Sequence, residues 1–168
     1  MLKHSAGILL YRKAAGGYEA LIVHPGGPFW TKKDLGAWSI PKGEFDPSEE
    51  PLMAAKREFA EEIGAPAPDG SYQSLGEFKV TNGKVLHVYA LESDFDLEQF
   101  QSNMFEMEWP PKSGKKQEFP EVDKAAWTPL AVARQKVVKG QVAVIDALAA
   151  RLGEQLDASN QSSQASLF

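Results

Sequence analysis

The chain has 168 residues, 43% of them hydrophobic and 24% charged, and its 18 basic and 23 acidic residues give a net charge of −5. This fits one globular domain with a short appendage, and it argues against an extended nucleic-acid surface but not against a local basic pocket. The lack of cysteine excludes disulfides, thiolate catalysis and cysteine-ligated zinc, and no apolar run suffices for a secretory signal or a membrane span, so we expect a cytoplasmic protein.

Two strands and a loop are predicted at the start of the chain. The segments "SAGILLYR" (5–12) and "EALIVH" (19–24) are rich in β-forming residues, and the Gly16-Gly17 pair between them predicts a hairpin turn. The segment 25–43 is rich in glycine and proline with aromatic residues interleaved, which predicts a loop with a brief strand over 38–40.

A helix rich in carboxylates is predicted after this loop. Ser48 is the predicted N-cap, Pro51 is tolerated in the first turn, and Gly64 stands where a left-handed C-cap residue would lie. The segment 43–65 holds seven carboxylates. Like charges at helical spacing repel one another, so this segment needs either full solvation or a bound cation.

A second pair of strands is predicted over 72–81 and 84–92. They are joined by Asn82-Gly83, which is the strongest short hairpin signal. The second of these strands is apolar on both faces. It is therefore predicted to be a central strand of the sheet, covered on both sides.

The region from 94 to 122 is less regular, and its segment "EWPPKSGKKQEFPE" (108–121) predicts a long polar loop. The segment "AAWTPL" (125–130) predicts a last strand that runs into a helix. Thr128 would be the N-cap of that helix and Pro129 its first residue.

The segment "QVAVIDALAARL" (141–152) predicts an amphipathic helix. No burial pattern follows, so we expect one domain over 1–153 and a polar, disordered tail over 154–168. Mixed strands, one helix among them and one at the end predict an α/β fold with three layers: helix, sheet and helix. No feature of the sequence predicts an oligomeric state.

Three carboxylates share one face of the first helix. On a helical wheel of about 100° per residue, Glu58, Glu61 and Glu62 lie together. The stripe expected to face the core lies directly beside them and consists of Leu52, Ala55, Phe59 and Ile63. A face meant only for solvent would lie opposite the core, and hard oxygen donors suit Mg²⁺ or Mn²⁺. From the wheel alone, a solvated face and a cation site both stay open.

The spacing of these residues resembles a known motif. Gly43, five residues, Glu49, seven residues and then "REFAEEIGA" (57–65) are similar to the Nudix box, with every charged and glycine position present. Phe59 and Ala65 stand where the family usually has an aliphatic residue, and Phe59 can pack on the core face. The resemblance covers about residues 3–152 and implies a Nudix-type α/β/α sandwich with a mixed central sheet.

Nudix enzymes hydrolyse a nucleoside diphosphate linked to another group, X, with a divalent metal ion. The resemblance implies that the ion is Mg²⁺, with Mn²⁺ as the alternative. The implied ligands are Glu58, Glu61 and Glu62, joined by the carbonyl oxygen of Gly43. It also implies that Arg57 and Glu49 form an ion pair that supports the site and takes no part in catalysis.

A catalytic base is needed within hydrogen-bond reach of the attacking water. By resemblance it is a box glutamate, Glu58 or Glu61, or a glutamate in the loop before the last strand. Two glutamates lie in that loop, and the spacing to Trp127 favours Glu121 over Glu118. Solvent-exposed loop residues are the alternative interpretation of both.

The substrate is suggested by the segment before the box. "WSIPKGEFDPSEE" resembles the W-x-x-P-K-G entry of the diadenosine-polyphosphate and diphosphoinositol branches, and Lys42 would add a charge for an extra phosphate. Lys33 is a further candidate phosphate contact, and Trp30 a candidate for stacking on a base. Other residues considered for these roles are Lys32, Lys112, Lys115, Lys116, Phe29 and Trp109. Exposed lysines and core-closing aromatic residues are the simpler interpretations.

Two features leave the substrate open. Diadenosine-polyphosphate hydrolases usually have a tyrosine about seventeen residues beyond the box, where this chain has "VTNGK". The segment 102–127 is closer to a bacterial Nudix group of predicted NTP pyrophosphohydrolases. We therefore expect a Mg²⁺-dependent pyrophosphohydrolase of a dinucleoside polyphosphate, with an oxidised-nucleotide triphosphatase or a non-catalytic nucleotide-binding module as alternatives. The expected partner is a small nucleotide, with no nucleic-acid polymer and no membrane.

Overall fold

A six-stranded mixed sheet with helices on both faces forms the body of the computed structural model, which describes residues 2–81 and 83–156. The predicted α/β/α architecture is confirmed. The helices are α1 (Pro51–Ile63), α2 (Leu130–Lys136) and α3 (Val142–Leu152). The strands are β1 (Lys3–Ala14), β2 (Gly17–Pro25), β3 (Lys42–Glu44), β4 (Gln73–Thr81), β5 (Lys84–Glu92), β6 (Met104–Glu108), β7 (Lys116–Pro120) and β8 (Val122–Pro129).

The strand order in the sheet is β4-β5-β1-β2-β8, and β3 pairs with β1. β1 and β5 run parallel, whereas the other pairs are antiparallel, so the sheet is mixed. β5 lies inside the sheet. Its Leu86 and Val88 pack on the side of α3, and its Tyr89 and Leu91 pack on the side of α1. The prediction of a central strand covered on both faces is therefore confirmed.

α1 is fixed to the sheet by its apolar stripe. Phe59 is fully buried and packs edge-on against Phe95, with ring centroids 5.5 Å apart. Burying a side chain of this size is worth about 1.5–3 kcal/mol. The aromatic residue that departs from the usual motif is thus accommodated in the core. Gly64 ends the helix with φ 84°, as the sequence predicted.

The start of α1 differs from the prediction. The helix begins at Pro51, and the N-cap residue is Glu50, which makes no side-chain capping hydrogen bond. Ser48 lies two residues before the N-cap residue, and its backbone N–H donates to Asp46 Oδ1 (2.9 Å). Asp46 therefore organises a separate turn ahead of the helix, and competition of this kind is common for short polar side chains.

Two other predicted boundaries are also wrong. Residues 38–40 form only isolated bridges, Val23 to Ser39 and Trp38 to Val137, and the strand of this region is β3. Pro41 separates them, since it has no N–H to donate to a ladder. Thr128 belongs to β8 and is not an N-cap, and α2 begins one residue later than predicted, with Pro129 as its N-cap residue.

A hairpin replaces part of the predicted polar loop. β6 and β7 pair antiparallel, and Phe105 lies opposite Phe119. The other side chains of the two strands are largely exposed, so little burial pattern marks them in the sequence. The hairpin projects from the main sheet and contacts the loop after β2, where Phe29 packs against Trp109 at 5.4 Å.

The predicted tail begins in contact with the domain. Glu154 accepts a hydrogen bond from the backbone N–H of Tyr18 (2.5 Å), and Leu156 packs against the core on the α3 side. Residues 157–168 and the predicted turn residue Asn82 lie outside the described residues, so the boundary at 153 stays a prediction. Among the described helices, none is long and apolar enough to cross a membrane.

Candidate active site

Gly43 and Glu58 meet where β3 approaches α1. β3 places Gly43 opposite Ala6 of β1. A Cβ atom on Gly43 would collide with the Glu58 carboxylate, so any larger residue would force that carboxylate to move. The Glu58 side chain is 13% exposed. Burial and the nearby Glu61 charge raise its pKa, and Arg57 partly offsets this.

Arg57 joins several of the acidic residues. Its Nε and Nη2 donate to the two oxygens of Glu49 at 2.9 and 3.0 Å, which is a bidentate ion pair. Its Nη1 also donates to Glu58 Oε1 (2.8 Å) and contacts Glu61 Oε1 (3.4 Å). On a helical wheel Arg57 falls about 100° from Glu58, which would point it away from the proposed metal ligands, yet its guanidinium contacts two of them. A wheel follows Cα directions, whereas a long guanidinium side chain can fold back along the helix.

Among the glutamates of the Nudix-like motif, Glu62 has the most strongly shifted pKa. Burial raises its pKa to about 8, and the charges of Glu58 and Glu121 add to this effect. The Lys42 charge and its backbone N–H, which donates to Glu62 Oε1 (3.3 Å), act in the opposite direction. A carboxyl group with such a pKa in a cleft is typical of functional sites.

A cavity of about 210 Å³ brings together residues that lie far apart in the sequence. Four predicted site residues line it: Trp30, Lys42, Glu62 and Glu121. Its walls thus combine carboxylates, a lysine and an aromatic ring. These are the groups needed to hold a cation, a phosphate and a base.

Glu121 and Glu118 lie in different surroundings. Glu121 lines the cavity, and its backbone is fixed on both sides because its N–H donates to the Asn103 carbonyl (2.8 Å) and its carbonyl accepts from Gly26 N–H (3.0 Å). Glu118 lies on the exposed β7, opposite Glu106, and is not among the residues that line the cavity. The preference for Glu121 as the base stays a prediction, and this placement supports it.

Lys33 lies next to Trp30. Its Nζ is 5.0 Å from the centroid of the Trp30 ring, which is a cation–π contact, and its carbonyl accepts a hydrogen bond from the buried His24 Nε2 (2.6 Å). Lys33 is not among the residues that line the cavity. Phe29, exposed by 58%, and the half-buried Trp109 contact each other and do not belong to the core. Lys32, Lys112, Lys115 and Lys116 are exposed and likewise are not among the residues that line the cavity.

Gln141 was not predicted as a site residue from the sequence. It is 1% exposed and lines the cavity. Its Oε1 accepts from Ile40 N–H (2.9 Å), and its Nε2 donates to Ser39 Oγ (2.8 Å), so it fixes the segment that leads into β3. One signal was present: Gln141 continues the apolar stripe of α3 backwards by one turn from Ile145, where a polar residue is unexpected.

The carboxylates fit a hard divalent cation by their chemistry. Oxygen donors are the ligands that Mg²⁺ and Mn²⁺ prefer. Burial and, to a smaller extent, the neighbouring carboxylates raise the pKa of both Glu58 and Glu62, so a bound cation would stabilise their charged forms. Among the described residues, however, no three carboxylates have oxygens all within 4.8 Å of one another. Arg57 contacts Glu58 and Glu61, whereas the Lys42 backbone N–H donates to Glu62, which explains why the carboxylate oxygens lie apart. Binding one ion by all three would require their side chains to rotate.

Comparisons with known proteins agree with this description. The family model of the NUDIX domain matches residues 1–148. No curated protein matches the sequence significantly. The fold is similar to a binary complex of the Caenorhabditis elegans Ap4A hydrolase, with TM-score 0.60 and 22% identity over 90% of this chain and 98% of that one.

Two further solved structures share the fold. The NUDIX domain of Shewanella oneidensis NrtR, complexed with ADP ribose, has TM-score 0.59 and 19% identity, covering 90% of this chain and 89% of that one. The C-terminal domain of mouse MUTYH, in complex with human PCNA, has TM-score 0.57 and 22% identity, covering 92% of both chains. The match of the family model over most of the sequence shows that this chain belongs to the Nudix family and is a hydrolase of pyrophosphate bonds.

Proposed function

We propose that this protein is a Mg²⁺-dependent pyrophosphohydrolase that cleaves a phosphoanhydride bond in a nucleoside diphosphate linked to a second group, and that its substrate is a dinucleoside polyphosphate. The single observation that carries the proposal is the cavity in which Glu62, Glu121, Lys42 and Trp30 meet. The names of two structural relatives, an Ap4A hydrolase and a domain with ADP ribose, support a substrate of this class.

The residues divide the work by their chemistry. Glu58, Glu61, Glu62 and the Gly43 carbonyl would hold Mg²⁺, with Mn²⁺ as a substitute. When bound, such an ion neutralises phosphate charge and lowers the pKa of a water molecule. The bidentate ion pair of Arg57 and Glu49 has a structural role beside these ligands and takes no part in catalysis.

Glu121 is the proposed base, and Glu58 or Glu61 are the alternatives. The Glu121 carboxylate accepts a proton from the water that attacks phosphorus. The bond between that phosphorus and the bridging oxygen then breaks, and the bridging oxygen leaves as part of the terminal phosphate of the second product. Lys42 pairs with an oxygen of the phosphate chain, and Trp30 stacks on a base, with Lys33 beside its ring. The proposed location of the enzyme is the cytoplasm.

The test is hydrolysis of a nucleotide panel in ¹⁸O-labelled water, with and without Mg²⁺. The panel contains diadenosine tetraphosphate, ADP-ribose, the common nucleoside triphosphates and an oxidised triphosphate. We expect turnover of diadenosine tetraphosphate that needs Mg²⁺ and that falls about 10²–10⁴-fold in Glu121→Gln. The label identifies which phosphorus is attacked.

The other outcomes separate the alternatives. Turnover of triphosphates alone would identify a triphosphate-sanitising enzyme and refute the proposed substrate. Binding of a nucleotide without turnover of any compound would identify a non-catalytic module. Full Mg²⁺-dependent activity in both Glu61→Gln and Glu62→Gln would refute the metal assignment.

A further inference from the structure

Two histidines and a glutamate converge on the sheet outside the cavity. His4 Nδ1 lies 2.9 Å from His87 Nε2, and His87 Nε2 lies 3.4 Å from Glu77 Oε1. One ligand atom from each of the three residues lies within 4.8 Å of the other two. Among residues 2–81 and 83–156, no other three histidine, aspartate or glutamate side chains meet in this way.

The sheet itself produces this arrangement. His4 comes from β1, His87 from β5 and Glu77 from β4, three strands that are neighbours in the order β4-β5-β1. Glu77 is paired directly with His87 in the antiparallel ladder, and His87 is paired with Ala6, two residues after His4, in the parallel one. Residues two apart on a strand share a face, so all three side chains point to the α1 side. Ligands on paired strands are held more precisely than ligands on loops.

Two of the three distances between the ligand atoms fit a tetrahedral ion with little movement, and the third is at most 4.8 Å. Zinc bonds to histidine nitrogen and carboxylate oxygen are about 2.0–2.2 Å, which places neighbouring ligand atoms of a tetrahedral site about 3.3 Å apart. The observed separation of 3.4 Å between His87 and Glu77 already meets this value. The two imidazole nitrogens, now at hydrogen-bond distance, would separate by about 0.4 Å.

We propose that His4 Nδ1, His87 Nε2 and Glu77 Oε1 form a binding site for Zn²⁺ or a similar transition-metal ion, with water as the fourth ligand. Two nitrogens and one oxygen suit such ions, whereas Mg²⁺ prefers oxygen alone. The site shares no residue with the carboxylates on α1. It therefore stands independently of the proposed hydrolysis.

Phe45 packs against the two histidines of the site, whereas the side of Glu77 is open to solvent. Phe45 packs edge-on against the two imidazoles, with ring centroids 6.2 Å from His4 and 5.4 Å from His87. The His87 side chain is 16% exposed and that of Glu77 61%, so an ion can enter from the Glu77 side. The Phe45 N–H donates to the His4 carbonyl (3.0 Å), which links the site to the end of β3, two residues beyond Gly43.

The test is calorimetric titration of the full chain with Zn²⁺ in the presence of excess Mg²⁺, which occupies oxygen-only sites. We expect one zinc ion per chain. Removing a direct ligand in His4→Gln or His87→Gln should weaken binding by about 100-fold or more, since even loss of a supporting partner costs 10–100-fold. Glu77→Gln, at an exposed position, should weaken binding without disturbing the fold. Glu92→Gln, on the opposite face of β5, is the matched control and should bind like the parent.

Two further measurements decide the result. Nitrogen-15 NMR of the imidazoles should show zinc-dependent shifts at His4 Nδ1 and His87 Nε2. Zinc binding should persist in the Glu61→Gln variant, which separates this site from the proposed hydrolytic one. The proposal is overturned if the parent chain binds no zinc under these conditions, or if Glu77→Gln and His87→Gln both bind zinc as tightly as the parent.

Discussion

Replacing Glu62 by glutamine should stabilise the metal-free protein. Burial raises the pKa of Glu62 to about 8 from an ordinary value of 4.5, so the folded state favours the protonated form. The stability contributed by this group is fully present below pH 4.5 and is lost as the pH rises towards 8. At pH 7 the loss relative to a neutral side chain is about 3 kcal/mol as an upper limit. Glutamine keeps the shape and the acceptor for the Lys42 N–H.

The measured gain should be smaller than this limit. Glu62 is not completely excluded from water, so we expect Glu62→Gln to increase the free energy of unfolding by about 1–3 kcal/mol at pH 7. The gain should shrink towards zero at pH 4.5 and grow up to pH 8. Functional carboxylates commonly lower the stability of the ligand-free protein, because activity requires a charged group that the fold alone does not favour.

The assay is urea unfolding of both proteins in EDTA at several pH values, followed by circular dichroism. Glu98→Gln is a matched control, because Glu98 is exposed in the short 3₁₀ helix after β5. Adding Mg²⁺ should stabilise the parent protein, by about 2.7 kcal/mol at a hundred times its dissociation constant, and should stabilise Glu62→Gln less. A variant that is less stable than the parent at pH 8 in EDTA would refute the reasoning.

Three other substitutions test separate parts of the site. Glu121→Gln should lower the rate of Mg²⁺-dependent hydrolysis about 10²–10⁴-fold, whereas Glu118→Gln should leave it unchanged, and equal losses in the two variants would contradict the assignment of the base. Gly43→Ala should abolish hydrolysis because its Cβ would displace the Glu58 carboxylate, and a fully active variant would show that this close approach is not needed. Gln141→Ala should lower the free energy of unfolding in urea by about 1–3 kcal/mol, since it leaves a buried backbone N–H without its acceptor. An unchanged stability there would mean that water replaces the side chain.

Local patterns predicted the parts of the fold that depend on neighbouring residues. The end of α1 at Gly64 follows from the left-handed conformation that glycine readily adopts. The strand 84–92 follows from the apolar side chains on both of its faces. Both predictions agree with the structure. The start of α1 was misplaced because Ser48 belongs to the turn that Asp46 organises, and the helix begins only at Pro51. The hairpin of β6 and β7 was missed because most of its side chains are exposed, so little burial marks it in the sequence.

The candidate site was predictable where its residues share one helix. Glu58, Glu61 and Glu62 are close in sequence, so their common face follows from the helical period. The place of Glu121 beside Glu62 depends on how the segment before β8 folds back, and it was expected only from the family resemblance. Gln141 was missed because its role arises from contacts a hundred residues away.

The cluster of His4, Glu77 and His87 shows the same limit of local patterns. Two of its residues are 83 positions apart and meet only because β1 and β5 pair in parallel. No spacing of histidines in the sequence indicates that pairing. The contacts of Arg57 with Glu58 and Glu61 were missed for another reason, because they depend on the side-chain conformation of Arg57 and not on strand pairing.

The most direct test of the account is a crystal structure with Mn²⁺ and a non-hydrolysable dinucleoside polyphosphate, with anomalous scattering used to locate the ion. We predict an anomalous peak bonded to oxygens of Glu58, Glu61 and Glu62 and to a phosphate oxygen, with Arg57 still paired to Glu49. Carboxylates that stay bound to Arg57 and to the Lys42 backbone, with no peak between them and the phosphates, would contradict it.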